Sequence, residues 1–300
     1  MDDLTIRYVE RKTGEILREK VPGEKWLRFL YHNPLGKLSL YALVRRKFLS
    51  DLYGKRMDAP ASRKLILPFA ESCGIDLSEA KKSPEDFDSF NDFFIRELKE
   101  TARSVDETPG TLVSPADGKI LAFERMELTR EFFIKGNSLT VEKLFGERES
   151  AERFAEGAVV FVRLAPADYH RFHFPADGFV GACRKIEGSY YSVSPLAIRD
   201  RLDIFFENKR EYALLTTKKA GAIALFEVGA TLVGRITQTY RSQTQVRKGE
   251  EKGYFSFGGS TCILLFEKNK FAVDADILEN TKKGLETKVN MGEKIGSGDF

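Results

Sequence analysis

The sequence is poor in the residues that staple or anchor a chain. Its three cysteines, Cys73, Cys183 and Cys262, are odd in number, far apart and free of any C-x-x-C pair. That pattern excludes a disulfide framework and a structural zinc site, and it suits a reducing compartment. No window offers the roughly 18 uninterrupted apolar residues that a membrane span needs, because Lys37, Arg45, Arg46 and Lys47 break the most apolar N-terminal stretch. One sign of charge does not dominate either: 48 Lys and Arg against 45 Asp and Glu leave +3. Nucleic acid is therefore not expected as a partner. The chain opens Met1, Asp2, Asp3 with no basic and then apolar leader, so a secretory signal is not expected.

What is present is the composition of a folded protein, 42% hydrophobic and 31% charged over 300 residues. That is enough to bury one large core or two modest ones. Residues 1–23 read as a polar hairpin with a turn at Lys12, Thr13 and Gly14. Trp26, Leu27, Leu30 and Tyr31, then Leu38, Tyr41, Ala42 and Leu49, recur at helical spacing, with Pro34 and Gly36 between two amphipathic helices. Eight basic residues between Lys25 and Arg56 face a single acid, Asp51. From the residues alone such helices read first as a core-packing pair, since amphipathic helices usually face their own protein, and alternatively as an anchor at the headgroup boundary of an anionic leaflet.

Helical patterning continues through residues 60–103, with a stop at Gly74 and an aromatic helix over Ser89–Leu98 whose Phe90, Phe93, Phe94 and Leu98 share a core face. After Pro109 and Gly110 the texture is β. Short runs at Thr111–Val113, Ile120–Phe123, Ala158–Leu164, Val180–Ile186, Tyr212–Thr217, Gly221–Gly229, Val233–Thr239 and Cys262–Phe266 are bounded by Gly, Pro or charge. The expected class is α+β: a helical N-terminal part, residues 1–107, then a β-rich sandwich or barrel-like catalytic domain, residues 108–300.

One element occurs twice. Pro115-Ala116-Asp117-Gly118 is answered by Pro175-Ala176-Asp177-Gly178, each running into a strand. It reads either as a duplicated unit or as ordinary Pro-x-Asp-Gly turn chemistry arising independently.

Two of only three histidines fall within Tyr169-His170-Arg171-Phe172-His173-Phe174-Pro175. Histidine is the side chain that titrates near neutrality, so a proton-transfer role and a hydrogen-bonded loop are both open. No carboxylate or cysteine stands at ligand spacing beside the pair, so no metal is expected. Residues three apart point to opposite faces of a strand, so a site collecting both rings requires irregular backbone at 169–174. Downstream, Gly258-Gly259-Ser260-Thr261 precedes the apolar run Cys262–Phe266. It reads as a β-bulge or hairpin corner, or as a strained nucleophile served by His170 or His173 and oriented by Asp117.

Taken together these segments resemble the phosphatidylserine decarboxylases, a pyruvoyl-dependent, self-processing lipid-enzyme family. Asn33-Pro34-Leu35-Gly36, Phe90-Asn91-Asp92-Phe93-Phe94, Ser114-Pro115-Ala116-Asp117-Gly118, Tyr169-His170-Arg171-Phe172-His173, Lys248-Gly249-Glu250-Glu251 and Gly258-Gly259-Ser260-Thr261 stand in the family's order across nearly the whole chain. The resemblance implies cleavage between Gly259 and Ser260 into a large chain of residues 1–259 and a small one of 260–300. It implies that Ser260 becomes the pyruvoyl group, that no external cofactor is needed, and that phosphatidylserine loses CO2 through a Schiff base to give phosphatidylethanolamine. By the same resemblance Asp117, His173 and Ser260 form the self-cleavage triad, and His170 protonates the carbanion. The expected partners are phosphatidylserine, an anionic membrane surface and the protein's own two chains, as a heterodimer that can pair again. The expected location is the cytoplasmic side of the cell membrane, as a peripheral protein.

Two positions depart from the family pattern: Gly258 stands where many relatives carry Leu, and Cys262 where Val is common. Readings from other classes are an intermolecular serine hydrolase using the same three residues, and a noncatalytic lipid-binding or swinging module suggested by the tail Val289-Asn290-Met291-Gly292-Glu293-Lys294-Ile295-Gly296.

Overall fold

The most apolar runs of the sequence form the middle of one large sheet. The computed structural model describes residues 6–19, 54–125, 141–189, 191, 204–230 and 235–298. The amphipathic helices expected between Trp26 and Tyr53 lie outside these residues. The N-terminal hairpin comprises β1 (Arg7–Glu10) and β2 (Ile16–Arg18). Helix α1 (Ile66–Cys73) ends at Gly74, whose φ of 68° closes the last turn in the left-handed region. The aromatic helix is shorter than its periodicity suggests: α2 spans only Phe90–Phe94, capped by the Ser89 side chain, and Ile95 ends it. Phe90, Phe93 and Phe94 are buried as the shared face requires.

Then come β3 (Thr111–Val113), β4 (Gly118–Phe123), β5 (Val159–Leu164), β6 (Arg171–His173), β7 (Gly178–Val180) and β8 (Arg184–Ile186). The single strand expected over Val180–Ile186 is thus two strands, divided at Gly181-Ala182-Cys183. The rest are β9 (Arg210–Thr216), β10 (Ala222–Gly229), β11 (Ile236–Gln238), β12 (Thr244–Val246), β13 (Glu251–Phe255), β14 (Ser260–Phe266), β15 (Ala272–Val273), β16 (Glu286–Val289) and β17 (Lys294–Ser297).

An 11-stranded sheet runs β12-β7-β9-β10-β14-β5-β4-β16-β1-β2, with β8 also on β9. Every residue of β5, β10 and β14 is buried, which is why they read as mostly apolar runs rather than alternations, interrupted only by Arg163, Glu227 and the Ser260-Thr261 start of β14. Two three-stranded sheets, β11-β13-β6 and β15-β17-β3, complete the β body. The molecule is α+β. The hairpin is more than a polar preface: β1 pairs in parallel with β16, and Glu19 just beyond β2 is buried against Arg163.

The repeated Pro-Ala-Asp-Gly element is a structural duplication. Val113 N–H donates to Pro175 O at 3.0 Å and His173 N–H to Pro115 O at 2.7 Å, the same bond in both directions. Ser114 and Phe174 donate to the carbonyls of Glu293 and Glu250, and accept from the N–H groups of Gly292 and Gly249. Hence Val289-Asn290-Met291-Gly292-Glu293 corresponds to Val246-Arg247-Lys248-Gly249-Glu250, a second repeat that the sequence carries out of step with the first. Both copies even shift register alike, β17 on β3 between Lys294 and Gly296, β13 on β6 between Glu251 and Gly253. In this correspondence His173 occupies the place held by Val113 in the other copy.

Candidate active site

Ser260 opens β14 and pairs with Leu164 of β5 on one side and Gly229 of β10 on the other. It is fully buried, and among the described residues its hydroxyl has no hydrogen-bond partner. The chain reaches it through Gly258, whose φ of 139° lies where residues with a Cβ are strained. The position that departs from the family's leucine is therefore one whose backbone here favours glycine.

His170 is likewise fully buried, just before β6. Its Nδ1 lies 2.8 Å from the Asp168 carbonyl oxygen, which only accepts, so Nδ1 carries the proton and Nε2 presents its lone pair. Asp168 is itself held: Lys119 Nζ donates to its carboxylate at 2.9 Å, and the Ala165 N–H at 2.7 Å. Burial pushes the ring's pKa down to about 4, against an opposing effect of the Asp168 carbonyl and carboxylate and of the Gly258 carbonyl. The ring is neutral at pH 7. Phe94 packs on it with centroids 3.9 Å apart, and Phe257 packs on Phe94 at 4.9 Å. Asn91 Oδ1 accepts the Phe257 N–H at 3.0 Å, so the Phe90-Asn91-Asp92-Phe93-Phe94 segment grips the chain just before Gly258.

His173 lies on β6 opposite Glu251 and faces a cleft of about 180 Å³ also lined by Tyr169, Arg103 and Met291. Burial lowers its pKa to about 4, with Glu251 and the Pro115 carbonyl opposing, and Nδ1 has no partner among the described residues. Asp117 stands beside this cleft. Arg103 donates to it through Nε at 2.9 Å and Nη2 at 2.6 Å, and the Met291 N–H donates at 2.8 Å. Arg103 Nη1 continues to Glu79 at 2.9 Å.

The fold thus gathers Asp117 and His173 around one cleft, through Pro115, Arg103 and Met291, and sets His170 close to Gly258. Among the described residues no hydrogen bond joins Asp117 to His173, or either histidine to Ser260. The irregular backbone expected at 169–174 is confined to residues before Arg171. Arg171–His173 is regular strand, and the irregularity lies in the facing β13. His170, being outside the strand, escapes its alternation. Of the six buried side-chain polar atoms without partners among the described residues, Ser260 Oγ, His170 Nε2, His173 Nδ1 and Arg96 Nη1 supply four. Buried polar atoms are paired almost everywhere, so this concentration marks the site.

The family model for phosphatidylserine decarboxylase matches residues 90–297. A phosphatidylserine decarboxylase proenzyme of Fusobacterium nucleatum subsp. nucleatum is 57% identical over 292 residues, 97% of each chain. Proteins of the same description from Clostridium perfringens and Desulfitobacterium hafniense are each 45% identical over 291 residues, covering 97% of this chain and 99% and 98% of theirs. The chain belongs to the phosphatidylserine decarboxylase family. The residues that give the family site its support in this chain were not legible in advance. From sequence no role is assigned to Arg103, Lys119 or Asp168, and only the fold brings Arg103 to Asp117 and Lys119 to Asp168. A faint signal existed for Asp168, two residues before His170. Among the described residues no helix is long and apolar enough to cross a membrane, and no group of three metal-ligating side chains comes together.

Proposed function

We propose that this phosphatidylserine decarboxylase precursor cuts itself between Gly259 and Ser260 and then converts phosphatidylserine to phosphatidylethanolamine and CO2. The observation that carries the reading is the buried, unpartnered Ser260 hydroxyl directly after Gly258-Gly259. A buried hydroxyl suits attack on its own chain; a serine hydrolase acting on other molecules would need it open to them.

In the cleavage, His173 takes the Ser260 hydroxyl proton as Oγ bonds to the Gly259 carbonyl carbon, and Asp117 orients and charge-stabilises that ring. The peptide C–N bond breaks and its nitrogen takes up a proton, leaving an ester and a free amine. Loss of the Ser260 Cα proton then expels the Gly259 carboxylate from Cβ, and water displaces the nitrogen as ammonia. Chains 1–259 and 260–300 result, the second beginning with a pyruvoyl group. They remain one heterodimer because β14, the first strand of the small chain, lies at the sheet centre between β5 and β10.

The pyruvoyl ketone supplies the electrophile for the substrate amine and the electron sink for decarboxylation. A dry, neutral surround fits it, and Phe94, Phe257 and neutral His170 provide one. His170 Nε2 accepts a proton from the substrate ammonium and returns it to the carbon that CO2 leaves. In this reading residues 108–300 carry the reacting groups, with Phe94 and Arg103 of the N-terminal part packed against them, and residues 1–107 also bring the site to the anionic cytoplasmic face of the cell membrane. Support for that surface comes from Leu65 and Leu67, exposed beside exposed Arg63 and Lys64. Deleting residues 26–53 should abolish flotation with anionic vesicles while leaving cleavage intact; unchanged flotation would refute the membrane role.

The decisive test is intact mass of the expressed chain beside a Ser260→Ala control. Two fragments meeting at 259/260, the smaller lighter by one ammonia than a free seryl terminus, are expected. A single folded, uncut chain would reject the proposal.

A further inference from the structure

Arg96 carries the other unpartnered atom. It is only 6% exposed, two residues beyond Phe94, and its Nη1 has no hydrogen-bond partner among the described residues. The guanidinium lies 5.0 Å over the Phe93 ring, and no carboxylate among the described residues pairs with it. The carboxylates whose charge reaches it, Asp117 and Glu79, are both hydrogen-bonded to Arg103. Its own charge reaches His170, on whose ring Phe94 stacks.

A buried guanidinium without a counter-ion is strongly disfavoured, and a fold keeps one where an anion arrives. The substrate offers two anionic groups. The seryl carboxylate leaves as neutral CO2, so a cation paired to it would hold the ground state more tightly than the transition state and slow the reaction. The phosphodiester keeps its charge throughout and lies a few bonds from the reacting nitrogen. Binding it costs nothing in rate, and the forked donors of arginine match its oxygens.

We propose that Arg96 binds the phosphodiester of the substrate headgroup from beside His170. The assignment rests on the decarboxylase reading above, and it makes Arg96 a recognition residue for the headgroup rather than for the leaving carboxylate.

The test uses mature enzyme, water-soluble dihexanoylphosphatidylserine as substrate and dihexanoylphosphatidylethanolamine, which keeps the phosphodiester and lacks the carboxylate, as competitive inhibitor. Arg96→Met should raise KM for the first and Ki for the second together, by about 10- to 100-fold, with kcat within about threefold. A raised KM with unchanged Ki would assign Arg96 to the carboxylate and overturn the proposal, as would two unchanged constants. If Arg96→Met is not cut, Arg96→Lys is read instead, with about a tenfold rise in both constants expected from loss of the fork. Failure of both variants to be cut would place Arg96 in self-cleavage and overturn the proposal. Wild-type enzyme that is cut yet releases no CO2 would refute the substrate reading instead.

Discussion

Asp117 and Asp177, sixty residues apart, make the same backbone contact: Oδ1 of each accepts a main-chain N–H at 2.8 Å, from Met291 and from Lys248. Their surroundings differ. Asp117 is buried against Arg103 beside the His173 cleft, whereas Asp177 is exposed. Asparagine keeps the accepting oxygen and removes the charge, so the two variants share their structural cost. Asp117→Asn should slow self-cleavage at least about tenfold and Asp177→Asn by less than about threefold, read as the half-time of fragment appearance by mass. Equal effects would mean that the duplication, rather than the charge at Asp117, matters.

The two histidines should separate by step. His173→Ala is expected to remain uncut, while His170→Ala is cut and loses about 10²- to 10⁴-fold in kcat, the usual range for a proton-transfer group. Gel analysis followed by CO2 release from the cut variant checks both. Normal cutting in His173→Ala would remove it from the triad.

Acid should destabilise the precursor early. Both rings are held at about 4, below the 6.5 of the unfolded chain, so the unfolded state alone binds their protons as pH falls. Stability from this source is constant above pH 6.5 and declines between 6.5 and 4. The decline amounts to at most about 3 kcal/mol per ring. Urea midpoints of the Ser260→Ala precursor should fall across that window. Adding His170→Gln and His173→Gln should flatten the fall above about pH 4.5, before carboxylates titrate. An identical slope would count against the buried neutral rings.

Lys119 and Asp168 form a buried pair whose side chains are 6% and 9% exposed. Lys119→Met leaves the Asp168 carboxylate uncompensated and should cost about 3–5 kcal/mol, the range for a broken buried ion pair. Lys119→Met combined with Asp168→Asn should cost clearly less than the sum of the single changes. Additive losses by denaturant titration would mean that the pair is not coupled.

Much of the sheet was legible because strands buried on both faces are mostly apolar, as Val159–Leu164, Ala222–Gly229 and Ser260–Phe266 are apart from the buried Arg163, Glu227, Ser260 and Thr261. Aromatic periodicity over-read the helix at Phe90, since Phe93 and Phe94 are buried by tertiary packing that continues after the helical turn ends at Ile95. The division at Gly181-Ala182-Cys183 was hidden because a chain leaving a sheet and returning keeps its composition. The duplication was half visible: Pro-Ala-Asp-Gly repeats in sequence, but its partner segments at 246–250 and 289–293 sit at unrelated spacings.

The sequence by itself determined which residues can do chemistry here, because a scarce histidine pair, a Gly-Gly-Ser and a turn aspartate are chemical facts independent of fold. Only the tertiary structure decided their states. Burial makes His170 and His173 neutral, the Asp168 carbonyl selects the tautomer of His170, Arg103 occupies Asp117, and Arg96 has no carboxylate paired to it among the described residues. Desolvation and hydrogen bonding depend on what lies within a few ångströms, and in this chain those neighbours come from strands and loops far apart in sequence.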